Sequence, residues 1–306
     1  MSDAPREPQS NESVSLPCVL SFNALDPSGA GGLVADALTA ASASTHLLSV
    51  ACAVLIRDTS EVHDHIAIDE ETVTDQARCI LEDAPAQGFK VGFLGNPENV
   101  SAVAQIASDY ADVPVVAYMP DLSWMDELAI ENYLDAFSDL MLPQVTILCG
   151  NYATLCRWLL PDWEGQHPPG PRDVARAASE HGVAYTLVTS YPSADHWLEN
   201  HLASPDTVLT SARFDRFEAR FSGAGETLSA ALIALLTAGA DLQTACSEAL
   251  NYLDQALDGG FQPGMGHAIP DRLFWSDTGD DSDGDGDDEA DAIQVLSDFP
   301  VDDTRH

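Results

Sequence analysis

Lysine is nearly missing from this chain: Lys90 is the only one, and the other eleven of its twelve basic residues are arginines. Against them stand 50 acids, a formal net charge of −38 over 306 residues. No basic footprint exists, which excludes nucleic acid and anionic membrane surfaces as partners. Also missing are any Cys-x-x-Cys pair, any apolar run of about 18 residues, and any N-terminal stretch coupling a basic region to an apolar one. The six cysteines (Cys18, Cys52, Cys79, Cys149, Cys156, Cys246) are scattered, mostly inside apolar runs where a thiol acts as a small hydrophobe. A reduced, soluble, cytoplasmic protein is the expectation.

The acid excess is not confined to one end. Residues 276–306 hold twelve acids and one arginine, so 1–275 keep 38 acids against 11 basic residues, a net −27. An acidic body of this kind suits a salt-rich, halophilic cytoplasm, where the screening length falls to about 3 Å at 1 M and self-repulsion fades. With 45% hydrophobic residues the chain has enough apolar material for a sizeable core.

Short apolar runs alternate with stretches of helical length. The runs are Cys18–Phe22, Val50–Ile56, Lys90–Leu94, Val113–Tyr118, Val145–Cys149 and Val183–Val188. Each is apolar throughout, as strands covered on both faces are. Between them Asn99–Tyr110 and Asp126–Leu140 have helical length. This alternation predicts an α/β fold with a mostly parallel sheet and helices on both faces. Later, Leu228–Leu236 is apolar nearly all round and predicts a buried helix. Leu242, Ala245, Cys246, Ala249, Leu250, Leu253 and Leu257 then mark one face of another. The expected organisation is an unstructured arm over 1–16, one domain over 17–275 and an acidic tail over 276–306.

Two glycine loops stand where chemistry could gather. Asp26-Pro27-Ser28-Gly29-Ala30-Gly31-Gly32 joins a strand to a helix and lets backbone amides approach a ligand, with Asp36 one turn further on. Ser222-Gly223-Ala224-Gly225-Glu226-Thr227 opens the buried helix, where bare amides and the helix dipole favour an anion. A carboxylate there, Glu226, can accept the proton of an attacking hydroxyl. Either loop alone also fits plain helix-to-sheet packing, and Asp36 and Glu226 also fit a solvated helix residue and a first-turn acid. His63 and His65, alternate residues beside Asp64, have no third ligand nearby and read as surface histidines. Asp281-x-Asp283-x-Asp285-Gly286 starts like a calcium loop but has Ala292 at the twelfth position, so no metal site is expected.

Taken in order, Leu25–Gly32 with Asp36, Lys90-Val91-Gly92-Phe93-Leu94, Leu142-Pro143-Gln144-Val145 with Asn151, and Gly223–Leu232 form a series that resembles the hydroxymethylpyrimidine/phosphomethylpyrimidine kinases of thiamine biosynthesis. The resemblance covers about 18–275, ends in Gly264-Met265-Gly266-His267, and implies the ribokinase-like fold. It implies transfer of the ATP γ-phosphoryl to the hydroxymethyl group of an aminopyrimidine and then to the monophosphate, with Mg²⁺ as companion. It places Asp36 against the pyrimidine and Gly223, Ala224 and Gly225 as the anion hole. Glu226 stands at the catalytic Cys or Asp position, its carboxylate above the amides of Ala224 and Gly225, and Asn151 lies on the nucleotide side. Arg57 stands where a glutamine commonly faces the pyrimidine, and Phe93 replaces a methionine. Both are expected to line a small pocket, with Arg57 drawing an anionic ligand such as a monophosphate.

Other positions depart from the family pattern. Tyr118 stands for an aspartate, Thr154 for the glutamate of an Asn-x-x-Glu motif, Thr189 for a lysine and Ser222 for a histidine. Phosphoryl transfer depends on positioning and charge neutralisation, and the loss of one preorganised group costs about 10²–10³ in rate. A weakly active or inactive paralogue that binds a small molecule is therefore the alternative, with a pyridoxal-type vitamer kinase as a third. Edge contacts of this fold also suit a homodimer.

Overall fold

The computed structural model describes residues 16–193 and 196–277. β1 (Cys18–Leu25) runs through the first glycine loop into α1 (Gly32–Ser42). β2 (His46–Arg57) and β3 (Val62–Ala67) form a hairpin, followed by α2 (Glu70–Asp83), β4 (Gly88–Val91), α3 (Pro97–Asp109) and β5 (Val115–Met119). α4 (Glu127–Ala136) continues into a wider turn over Phe137–Met141 before β6 (Ile147–Asn151), α5 (Tyr152–Leu159), α6 (Pro171–Glu180) and β7 (Tyr185–Pro192). A hairpin of β8 (Trp197–Ala203) and β9 (Val208–Asp215) precedes the second glycine loop, α7 (Ala224–Thr237) and α8 (Leu242–Asp258). The chain divides into two units, Met1–Phe274 and Trp275–His306. The expected arm, apart from Leu16, and the acidic run beyond Asp277 with its calcium-like pattern lie outside the described residues.

The sheet has nine strands in the order β3-β2-β1-β4-β5-β6-β7-β8-β9. Six neighbouring strands, β1, β2 and β4 to β7, are parallel, and each overlaps one of the six apolar runs, β4 only at Lys90 and Val91. β3, β8 and β9 are antiparallel additions at the two edges. Those edge strands were not expected. β9 alternates exposed and half-buried residues because only one face is covered, so it lacks the continuous apolar signature. Helices α2 to α6 close one face around Phe89, Tyr133 and Phe137. On the other face α7 and α8 pack against Val19, Val116, Ile147 and Leu187, with α1 beside α7.

Helix starts decide where the site can form. α2, α3, α4, α5 and α8 begin beneath a capping Asp or Asn: Asp69, Asn96, Asp126, Asn151 and Asp241. α1 and α7, which open from the glycine loops, carry no side-chain cap. Both begin at the carboxyl ends of the parallel strands. There the chain, having gone from β1 to β2 on one side, returns with β4 on the other and leaves a crevice.

Candidate active site

Glycine is obligatory at the head of α7. Gly223 holds φ +86°, and a Cβ there would run into the Ala30 carbonyl of the first loop. Gly225 lies against the Tyr118 ring, which would meet any side chain at that position. The two loops are further locked by a residue that sequence reasoning did not single out. The Arg272 guanidinium donates to Gly29 O at 3.2 Å, to Ala30 O, and to Thr227 Oγ1 at 3.0 Å.

Beneath the loops lies a buried polar network. Lys90, at the centre of the sheet on β4, is fully buried. An ammonium there is tolerable only when paired, and it meets both Asp36 and Glu226. Its Nζ is 2.9 and 3.1 Å from the two Asp36 carboxylate oxygens. Ser21 Oγ donates to Asp36 at 2.7 Å, and Asn23 Nδ2 donates to Asp36 at 2.9 Å and to Glu226 Oε2 at 3.1 Å. Burial pushes the Glu226 carboxyl above the usual range, with Asp36 adding to the rise and Lys90 opposing it. Burial works against the Lys90 ammonium too, but Asp36 and Glu226 overcome it and hold its pKa above normal. One cation thus serves two carboxylates.

Above this network a cavity of about 250 Å³ is lined by Asn23, Asp26, Arg57, Phe93, Tyr118, Trp124, Ser222, Gly223, Glu226 and His267, among others. A second cavity of about 680 Å³ lies across the second glycine loop and is lined by Asn151, Thr189, Arg216, Arg220, Ala224 and Gly225, among others. Tyr118 and Gly223 border both. Burial, reinforced by the Glu226 charge, raises the Tyr118 pKa far above neutrality, so its phenol stays protonated. A narrow apolar slot of about 100 Å³, floored by Leu198, Leu250, Leu253 and Leu257, adjoins the larger cavity.

The candidate residues divide accordingly. Arg57, Phe93 and Glu226 gather at the smaller cavity, Ala224, Gly225 and Asn151 at the larger, and Gly223 between them. Four expectations need correction. Asp36 does not face a ligand: it is sealed below the cavity, where Lys90, Ser21 and Asn23 claim its oxygens. Arg57 is already engaged, through Nη1 to Asp26 at 3.2 Å, Nη2 to Ser222 Oγ at 3.1 Å and Nε to Asp58 O at 2.9 Å. Its fork is therefore a latch between the two loops rather than a free anion receptor. The Glu226 carboxylate turns inward to Lys90 and Asn23, because its longer side chain reaches past the loop amides. His65 is also no plain surface residue: it contacts Gly95 O at 2.8 Å and packs edge-on against Phe93 and Trp124.

A magnesium ion finds few partners here. At the larger cavity Tyr118, Asn151 and Thr189 offer neutral oxygens and Glu218 a single carboxylate, and no group of three His, Cys, Asp or Glu side chains among the described residues converges on an ion. The residues present do not fit a protein-held metal.

The family model for phosphomethylpyrimidine kinase matches residues 26–271, from the first loop's aspartate to the residue before Arg272. The chain belongs to the phosphomethylpyrimidine kinase family. Among its relatives is the hydroxymethylpyrimidine/phosphomethylpyrimidine kinase of Streptomyces coelicolor, 27% identical over 271 residues, covering 83% of this chain and 93% of the relative. The Escherichia coli enzyme of the same name is 26% identical over 260 residues, covering 82% and 94%. In three dimensions the chain is similar to an ADP complex of Bacillus subtilis pyridoxal kinase, with TM-score 0.75 and 18% identity over 86% of this chain and 99% of that one. A phosphomethylpyrimidine kinase from Clostridium difficile aligns with TM-score 0.63 and 18% identity, covering 79% and 100%. The fold of this family member is accordingly ribokinase-like.

Proposed function

We propose that this family member transfers the γ-phosphoryl group of ATP to the hydroxymethyl group of an aminopyrimidine, and then a second one to the resulting monophosphate, as in thiamine biosynthesis. The observation that carries the reading is the meeting of three things at one helix start: a carboxylate on the smaller cavity, uncapped amides on the larger, and a common border between them. The acceptor occupies the smaller cavity against Phe93 and Trp124, and ATP the larger, its base towards the adjoining apolar slot.

In the first transfer Glu226 takes the proton of the substrate hydroxyl. Lys90 and Asn23 both hold Oε2, which leaves Oε1 for that proton. A carboxyl raised by burial is a stronger base than an ordinary glutamate. The hydroxyl oxygen bonds to the γ-phosphorus as the bond to the ADP oxygen breaks. Charge growing on the phosphoryl oxygens meets the amides of Ala224 and Gly225 and the positive end of α7. Magnesium would add charge neutralisation on the nucleotide; no residue cradle supports it, and none of these steps depends on it.

Two observations favour a slow enzyme within the same reading. Lys90 competes for the carboxylate that serves as base, and the Tyr118 ring leans on Gly225 at the border of the cavities. The acidic body supports placing the protein in a saline cytoplasm. A coupled assay of ADP release with hydroxymethylpyrimidine, its monophosphate and pyridoxal, run across salt concentrations, tests the reading. Turnover is expected with the pyrimidines; turnover with pyridoxal alone, or with none, overturns it.

A further inference from the structure

Cations are so scarce in this chain that each one's partner is informative. Among the described residues Arg57, Arg78, Arg157, Arg176 and Arg213 are each ion-paired, Lys90 serves two carboxylates, and Arg272 is spent on two backbone carbonyls and the Thr227 hydroxyl. Three guanidinium groups remain without an ion pair: Arg172, which lines neither cavity, and Arg216 and Arg220. Two of the three line the larger cavity, in the segment that leads into the second glycine loop. Glu218 lies between them and lines the same cavity, so this segment contributes a net positive charge of one.

The segment is anchored through its backbone rather than through these side chains. Arg216 N donates to His196 O at 2.9 Å, Ala268 N donates to Arg220 O at 2.9 Å, and Ser222 N donates to Ala268 O at 2.9 Å. Both arginine side chains are exposed. They are therefore free to turn to an incoming anion without dismantling the loop. Across the cavity stand Asn151 and Thr189, neutral groups, the latter where the family pattern has a lysine.

We infer that Arg216 and Arg220 are the cations that bind the polyphosphate of the nucleotide, supplying from the loop before α7 the positive charge that Thr189 does not. The inference rests on the reading of the larger cavity as the ATP site. Guanidinium groups suit the task, since they match phosphate oxygens with paired donors and keep their charge at any working pH. They also offset the repulsion that a chain of net charge −38 exerts on a triphosphate.

Equilibrium binding of ATP and of adenosine to the full chain and to the double variant Arg216→Ala/Arg220→Ala tests this. ATP is expected to weaken about 10–100-fold in the variant, as loss of charge-assisted bonds requires, and its salt dependence to flatten. Adenosine, which has the base and ribose but no phosphate, is expected to change less than about twofold. The double lysine variant Arg216→Lys/Arg220→Lys should restore part of the ATP affinity. ATP binding unchanged in the alanine variant, or ATP and adenosine weakened alike, overturns the inference while leaving the ATP site standing. A native chain that binds neither ligand overturns the ATP reading itself, and this inference falls with it.

Discussion

The two cavities share a wall at Tyr118 and Gly223 yet are built on opposite terms. Beneath the smaller one, Lys90 is matched by Asp36 and Glu226, and Ser21 and Asn23 satisfy further oxygens, all buried. Around the larger one stand neutral oxygens, the Glu218 carboxylate and two arginines without ion pairs. The first side is organised before any ligand arrives, whereas the second completes its electrostatics with the ligand's own charge. On the proposed reading, a site divided in this way holds its base rigidly and its nucleotide loosely.

The sharpest way to break the contrast is to neutralise the closed side at its reactive end. Glu226→Gln keeps shape but removes the proton acceptor, and kcat should fall about 10²–10⁴-fold with ligand affinity nearly unchanged. Single-turnover kinetics with calorimetric binding would check this, and activity indifferent to the change would remove Glu226 as base.

Next in size is Lys90→Met, which strips the shared cation from two buried carboxylates. Breaking a buried pair on one side costs about 3–5 kcal/mol, measurable by urea unfolding. The direction in pH follows from the sign of each contribution. Lys90 holds the Glu226 pKa down against burial and Asp36, so removing it lets that pKa rise. Activity that needs ionised Glu226 is lost as pH falls through this pKa, so the acid limb of kcat/KM should move to higher pH in the variant. A limb that stays in place or moves down would separate Lys90 from the base.

Smaller again is Arg272→Met, which leaves the carbonyls of Gly29 and Ala30 without their shared donor. A loss of about 1–3 kcal/mol is expected, together with weaker binding in both cavities, because the clamp touches both loops. Loss of stability with binding intact would make it a fold residue only. The gentlest probe leaves the covalent chain alone. Residues 1–275 carry −27, so the melting temperature should rise from low ionic strength towards 1 M salt as repulsion is screened. A flat or falling curve argues against adaptation to a saline cytoplasm.

How far all this could be read from the residues depended on what each region buries. The inner strands announce themselves because both faces are covered and their apolar runs are unbroken, as in Val115–Met119. The antiparallel strands β3, β8 and β9 do not, since β3 and β9 are half-covered at the edges and all three interrupt any apolar run with polar residues such as His63, Asn200 and Ser211. The glycine loops were legible because positive φ and close backbone approach leave few alternatives to glycine. Asp36 was misjudged because a helix residue near a ligand loop can face either the ligand or the sheet, and the partner that decides it, Lys90, is 54 residues away. The signal was present nonetheless: the single lysine sits within an apolar strand run, and a charge there requires partners. Arg272 had no comparable cue, because two of its three targets are backbone carbonyls, which leave no trace in side-chain identity, and the third is a neutral hydroxyl, Thr227 Oγ1.

That clamp has a consequence in time as well as in space. Arg272 meets Gly29 and Ala30 across 243 and 242 positions of sequence, so the first glycine loop leaves the ribosome long before its fastener is synthesised. A chain still being made can pair β1, β2 and β4 and set Lys90 beside Asp36, but α7, which covers them and brings Glu226, and then Arg272 arrive only near the end. Ligand recognition is therefore a property that switches on late in translation, and an interrupted chain ending before residue 272 carries both cavities' floors without the fastening that joins their rims.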